Sequence, residues 1–589
     1  MATIWIATVA DGGNDANPGT EISPKATFAS AYSIAVNGDT IRFKAGSYTD
    51  NFVNSITKEL TILGPNDGIS PNTGVDLADE NPARLPEAII TTNGSHFIKR
   101  NNTSVRGLSF VRGTSPAASI FFLVVPQNAG QVIDNASFKY NKFYGQKAVH
   151  ISTSGLAVSN FDFSYNRYIN GGEYHGGWVV QSIASGGGAI QDPIVEYNYA
   201  NLFATDTPDH SDDVQGFGLD SSVNAICRYN TCQYGMNHYF APNSSNALFT
   251  DNVSLQPMGW TWNCYTTTGT TTFERNRMSV DAGLRPGLTW WGSGFTANQL
   301  SRVAYFNTVP NLTFADNEID IYGIFTDTNL DSNPQAYGIS ALVLRGATTG
   351  SITGNKISAS SSAKSSAGFD LSSAVLGMTA ILIQPTVPDI TGPLLITGNT
   401  ITGYFHQCVA VYDFGVWTWT GSEYAQTGTP VWGNLVSGSS VIIKDVVGNP
   451  NIDWGGKSAI GEIIDMRDCN WGDFSGPSGG AVDPVSGAIA NGAGSKVSSY
   501  IRFAPYKTVP YNGDNEINIE GLTEDAVFGI GRNASKFSDG GIPSIIRNNT
   551  AGINRGPLVI VHSTGGVTPK QAAQGIGGHT GQIGYKYDR

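Results

Sequence analysis

The sequence predicts an all-β chain wound as a right-handed single-stranded parallel β-helix, and three observations lead there. At 589 residues it is too long for one compact core, whereas a solenoid buries each repeat against its neighbours and grows along one axis. A short phrase centred on asparagine recurs nine times along the chain. The composition suits short strands and tight corners: 71 glycines, 14% charged residues, and 40% hydrophobic residues spread in brief alternating runs.

The repeated phrase sets the coil. It reads FKYNKF at Asn141, FSYNRY at Asn166, VEYNYA at Asn198, CRYNTC at Asn230, FTDNVS at Asn252 and FERNRM at Asn276. It continues as FADNEI at Asn317, ITGNKI at Asn355 and ITGNTI at Asn399, at intervals of 22 to 44 residues. Alternation such as Leu312-Thr313-Phe314 turns one strand face inward, because side chains alternate with period two. Asparagine tolerates left-handed backbone and bonds locally, so it is expected at the corner between strands. Stacked corners would then form a side-chain ladder along the axis.

One segment departs from strand periodicity. In residues 26–35, Phe28, Ala31, Tyr32 and Ala35 follow helical spacing, which predicts a short amphipathic helix covering the open N-terminal end of the solenoid. The run GNDANPGT (Gly13 to Thr20), that helix, GDTIRFKAGSYTDNF (Gly38 to Phe52) and ELTILGPNDGI (Glu59 to Ile69) resemble the opening of bacterial and phage pectate-lyase-like β-helix proteins. Near the other end, DCNWGDFSGPSGG (Asp468 to Gly480) and VSSYIRFAPY (Val497 to Tyr506) are similar to the phrase that closes such solenoids, with one tryptophan where two are usual. The expected organisation is therefore a β-helix over 1–506, with its cap in 1–52 and long loops at 170–300. Residues 507–589 form a separate segment for capping, oligomerisation or attachment, in which Pro557 to Ser563 reads as a strand.

Charge and cysteine usage narrow the partners. A net charge of −13 argues against nucleic acid and anionic membrane surfaces, which require clustered Lys and Arg. No stretch approaches the roughly 20 apolar residues of a membrane span. The first residues, Met1 to Gly12, read as a strand rather than as a secretory leader. Five cysteines, an odd number, are expected to be buried free thiols. Phosphate-cradling and nucleophile-elbow phrases are absent.

The chemistry-bearing residues concentrate between Glu173 and Trp291. His175, His210 and His238 each follow a corner asparagine by eight to twelve residues, an offset expected to align them on one exposed face with Glu173, Asp209, Asp212 and Asp213. Two carboxylates suit glycoside hydrolysis; a His or Tyr base suits proton abstraction beside a uronate carboxyl; oxygen or imidazole ligands suit a metal, Ca²⁺ among them. Simple turn chemistry is the alternative reading of the Asp-Asp pair. The run from His210 to Gln215 resembles a His-x-Asp-x-x-Gln pattern of β-helix carbohydrate-active proteins. Trp178, Trp260, Trp262, Trp290 and Trp291, with Tyr239, are expected to stack on sugar rings, packing beneath loops being the alternative. Asp11 to Asp15 resembles a Ca²⁺-binding turn but lacks spaced acidic ligands.

These features together lead to the expectation of a virion-associated, tailspike-like adhesin. It would bind host cell-surface polysaccharide, depolymerise it in an enzymatic version, contact other tail proteins and assemble as a homotrimer. A free polysaccharide lyase or hydrolase, and a non-catalytic fibre, are the rival readings.

Overall fold

The computed structural model of the chain describes residues 1–49, 52–113, 120–126, 131–145, 147–154, 156–170, 177–185, 188–203, 214–257, 261–281, 302–322, 339–359, 378–384, 394–403, 405, 407–411, 417–419, 424–426, 441–444, 454–458, 463–507, 544–546 and 559–561. The chain divides into two compact units, Met1–Tyr511 and Asn512–Arg589.

The first unit is a parallel β-helix. Sheet one has 16 strands, from Thr3–Ile6 to Ile501–Arg502; sheet two has 12, from Gly46–Thr49 to Thr400–Gly403; sheet three has 14, from Ser55–Ile56 to Lys496–Val497. The chain visits the three sheets in turn, and neighbouring strands within each are parallel. Four short strands (Val132–Asp134, Ala157–Ser159, Ala189–Gln191, Ser222–Val223) add a narrow side between sheets three and one. Successive coils are about 4.8 Å apart, as hydrogen-bonded strands must be.

Like residues stack because the register holds from coil to coil. In sheet one, Phe138, Phe163, Val195, Cys227, Phe249, Phe273 and Phe314 are successive partners, all facing the interior. Phe249 and Phe273 lie face to face with centroids 4.4 Å apart. All five cysteines are buried in this packing, and none is joined in a disulfide.

The nine phrase asparagines form the expected ladder, entirely inside. Asn141 donates its backbone N–H to Asn166 Oδ1 (3.0 Å), Asn166 to Asn198 (2.8 Å), and Asn198 to Asn230 (3.1 Å). The relay continues through Asn252, Asn276, Asn317 and Asn355 to Asn399. Each side-chain N–H also reaches a sheet-one carbonyl, such as Asn198 Nδ2 to Phe163 O at 2.8 Å. The expected left-handed asparagine is corrected here. The residue before each ladder position turns the corner: Tyr140, Tyr165, Tyr197, Tyr229, Asp251, Arg275 and Asp316 have φ between 52° and 59°. The turn must precede the asparagine so that its amide points inward. Left-handed asparagines occur at another corner, where Asn135, Asn224 and Asn246 form an exposed second row.

The N-terminal helix spans Phe28–Ile34, is capped by Thr27, and buries Phe28 and Ala31. Phe28 stacks on Phe52 at 4.1 Å, covering the first coil. Asp15, in the turn compared with a Ca²⁺ loop, accepts from the N–H groups of Ala26 and Thr27 and fastens the start of that helix. At the other end Trp471 is buried, and Asp483 ties the closing segment together. Its Oδ1 accepts from Val485 and Ser486 N–H, and its Oδ2 from Phe503 and Ala504 N–H. Burial alone would raise the Asp483 pKa, but these four donors hold it down at about 2.

An excursion unread in the sequence covers sheet two. Between Thr61–Leu63 and Ala88–Thr92 the chain leaves the coil and runs along the outer face of that sheet. Glu87 and Glu80 pair with Lys142 (3.4 and 3.0 Å), and Arg167 Nη2 donates to Ala78 O at 2.9 Å. Farther along, Asp76 pairs with Arg277. This strap is fixed by charge and backbone carbonyls rather than by apolar packing.

In the second unit, Ser544–Ile546 and Val559–Val561 form an antiparallel pair, the latter inside the segment read as a strand.

Candidate functional site on the outer wall of sheet three

Sheet three presents one continuous outward row. Phe97, Leu123, His150, Gln181, Gly218, Phe240 and Asn263 are successive partners, continued by Tyr305, Val343, Leu382 and Ala410. The row changes character midway. Phe97, Leu123, His150, Gln181 and Phe240 are half-buried, whereas Tyr305, Val343, Leu382 and Ala410 form a buried apolar cluster. The open half is the candidate site.

Glycine makes room for its central aromatic. Trp178 lies across Gly218, where a Cβ would come within 2.8 Å of the indole, and stacks on Phe240 at 4.8 Å. Beside it, His150 Nδ1 is 3.2 Å from Gln181 Oε1. Burial lowers the His150 pKa, the Gln181 contact opposes this, and Lys147 adds to the lowering. An amide relay borders the far side: Asn263 Nδ2 donates to Asn237 Oδ1 (3.1 Å), and Asn237 Nδ2 to Gln215 Oε1 (3.1 Å). Asn263 Oδ1 is buried and has no hydrogen-bond partner among the described residues. The arrangement offers a flat ring, an imidazole and amides at coil spacing, a pattern suited to a long ligand with repeating hydroxyl groups.

Of the residues expected on an exposed face, three lie inside. Trp262 pairs with Tyr239 and Ala304 in the interior row, and its Nε1 crosses to Ser254 Oγ of sheet two at 3.0 Å. The Tyr239 hydroxyl is 2.8 Å from the carbonyls of Asn230 and Val253. His238 is fully buried at a bend, with Nε2 donating to Tyr234 O; burial pushes its pKa down to about 4. These three are corrected to core positions: the register shifts beside Gly216 and turns His238 and Tyr239 both inward, and Trp262 faces inward as the partner of Tyr239. Trp178 stacks on Phe240 of the outward row but is itself buried, 8% exposed.

Glu173, His175, Asp209, His210, Asp212, Asp213, Trp260, Trp290 and Trp291 lie outside the described residues. Their places in the chain are nonetheless ordered by the strands around them. Residues 171–176, 204–213, 258–260 and 282–301 all belong to connections from sheet two to sheet three, and Asp213 directly precedes the strand Val214–Leu219. Lys147, His150, Gln181 and Phe240 were not singled out in the sequence. The run KAVHISTS, in which the polar Lys147 and His150 flank the apolar pair Ala148 and Val149, is the signal that could have found the first two.

Among the described residues no helix is long and apolar enough to cross a membrane, and no group of three His, Cys, Asp or Glu side chains is placed to hold a metal ion. No family model matches the chain, and no curated protein matches it. Solved structures resemble it, three of them as follows. A lacto-N-biosidase from Eubacterium ramulus is 11% identical, with TM-score 0.34, over 55% of this chain and 64% of that one. The catalytic unit of an α-1,3-glucanase from Streptomyces thermodiastaticus is 10% identical, with TM-score 0.35, over 71% and 67%. An alginate lyase in complex with a trisaccharide is 10% identical, with TM-score 0.34, over 87% and 96%. The chain thus spans just under two thirds of the lacto-N-biosidase, and all three neighbours are carbohydrate-active β-helix enzymes.

Proposed function

We propose that this protein binds an extended polysaccharide along the open half of the sheet-three wall and cleaves it with acids of the 204–213 connection. One observation carries the reading: Trp178 lies flat over Gly218 and against Phe240, in line with His150 and Gln181 on neighbouring strands. Indole and phenyl surfaces stack on the apolar faces of sugar rings, while imidazole and amide groups bind hydroxyls, so alternating them along an axis suits a polymer. The strap favours this wall over sheet two, whose outer face it covers from Lys142 to Arg277. Asp209, Asp212 and Asp213 are the candidate acid, base or nucleophile, with His210, Glu173 and His175 as further candidates.

The test is incubation of the full chain with a panel of capsular and lipopolysaccharide glycans, reading reducing ends and unsaturated uronates. Product that vanishes in Asp212→Ala or Asp213→Ala supports the enzyme. Binding without product supports an adhesin, and neither outcome would leave a spacer. A tailspike-like setting at a virion, with three copies side by side, belongs to the same reading, and the mass in solution tests the trimer.

A further inference from the structure

The three sheets differ in charge. Sheet one carries Asp162, Glu196 and Glu274 in its strands, and sheet two carries Asp281, Glu318 and Asp320. The 14 strands of sheet three contain no Asp or Glu, in a chain with 47 acidic residues against 34 lysines and arginines.

Among the described residues, that asymmetry leaves Lys147 as a sheet-three cation without a partner. On sheet two, Lys142 meets Glu80 and Glu87, and Arg277 meets Asp76. On sheet one, Lys139 meets Asp162 at 2.5 Å and Arg228 meets Glu196 at 2.6 Å. Lys147, in the strand Lys147–Ser154 of sheet three, is half-buried, yet no hydrogen bond or ion pair holds its ammonium among the described residues. It stands two residues before Val149, as Trp178 stands two before Val180, and Val149 and Val180 are partners, so Lys147 and Trp178 occupy matching places on adjacent coils. His150 follows one residue after Val149 and feels the same ammonium.

A half-buried ammonium loses hydration without recovering it from a carboxylate, and burial accordingly lowers the Lys147 pKa. An arriving anion would supply the missing partner. We infer that the polysaccharide taken by this wall is an acidic one, whose sugar carboxylate pairs with Lys147 while an adjoining ring stacks on Trp178. The inference rests on the polysaccharide reading and narrows it to carboxylated polymers. A neutral glycan has nothing to offset the ammonium, and the strands of sheet three supply no acid of their own to do so.

The experiment is equilibrium binding of the full chain to immobilised polysaccharides, half of them carboxylated (alginate, polygalacturonate, hyaluronan and acidic capsules) and half neutral. The best carboxylated binder is then repeated after carboxyl reduction. The expected result is binding confined to carboxylated polymers, lost on carboxyl reduction, and weakened about tenfold by Lys147→Met, which keeps most of the apolar stem. Lys147→Arg should restore most of it. Binding to neutral polymers alone, or an acidic binder indifferent to Lys147→Met in a variant of unchanged melting temperature, overturns this inference and leaves the polysaccharide reading standing. Binding to no polymer overturns both.

Discussion

Arg277 donates to a carboxylate oxygen of Asp76 across 201 positions of sequence. The contact anchors the far end of the 66–87 strap, which begins beside the second strand of sheet two and reaches the ninth. Asp76 and Leu77 both have positive φ, so the turn at this anchor is held in a conformation that L side chains disfavour. Removing the anchor should let the strap lift. Arg277→Ala is expected to cost on the order of 1 kcal/mol and to open cleavage sites within residues 66–87 to added protease, more so at high salt. An unchanged cleavage pattern would show that the carbonyl contacts to Arg167 suffice.

The buried ladder should be far less tolerant than the exposed one. Asn198→Ala strips acceptor and donor from two neighbouring coils, leaving the Asn166 N–H and the Phe163 carbonyl without their partners. A loss of about 2–4 kcal/mol is expected, read as a shift in the urea midpoint. Asn224→Ala, in the solvent-exposed row, should cost under about 1 kcal/mol.

Trp262 and Trp178 are expected to separate stability from binding. Trp262→Ala empties a fully buried site and should cost about 3–5 kcal/mol. Trp178→Leu should lower the melting temperature less than Trp262→Ala does, since Leu keeps part of the buried volume, and weaken polysaccharide binding about tenfold or more. Equal effects of the two on binding at matched folded fraction would remove Trp178 from the site.

Acid should destabilise the solenoid in two stages. His238 is buried neutral with its pKa lowered to about 4, whereas an unfolded chain titrates it near 6.5, so the unfolded state binds the extra proton between those values. Stability present above about pH 6.5 is therefore lost as pH falls through about 4, and His238→Gln should flatten that part of the profile. Asp483, lowered to about 2, contributes stability that is full above about pH 4 and lost as pH falls through 2. Asp483→Asn, which cannot accept at one of its two positions, should remove the lower stage; urea midpoints across pH 2–8 resolve both.

The fold was legible because its signals are local. Alternation over three residues, a recurrent Asn141-type phrase and the helical spacing of Phe28 and Ala31 each act within a few positions. The wall was legible only in part. His238 and Tyr239 sit at a bend where consecutive side chains both face inward, and the parity rule that works elsewhere fails there. Trp262 illustrates a second difficulty, since a large ring fills a solenoid interior as well as it serves a sugar. The strap was unread because nothing near Asp76 announces a partner 201 residues away. Lys147 was passed over because its meaning lies in acids missing from strands far along the chain.

The buried ladder has a direction. Each coil's amide is accepted by the asparagine of the coil made after it, as Asn141 waits for Asn166 and Asn166 for Asn198. A coil's ladder donor is therefore met only when the coil that follows it in sequence is in place. Shortening or lengthening the rod therefore conserves this arrangement only in whole turns.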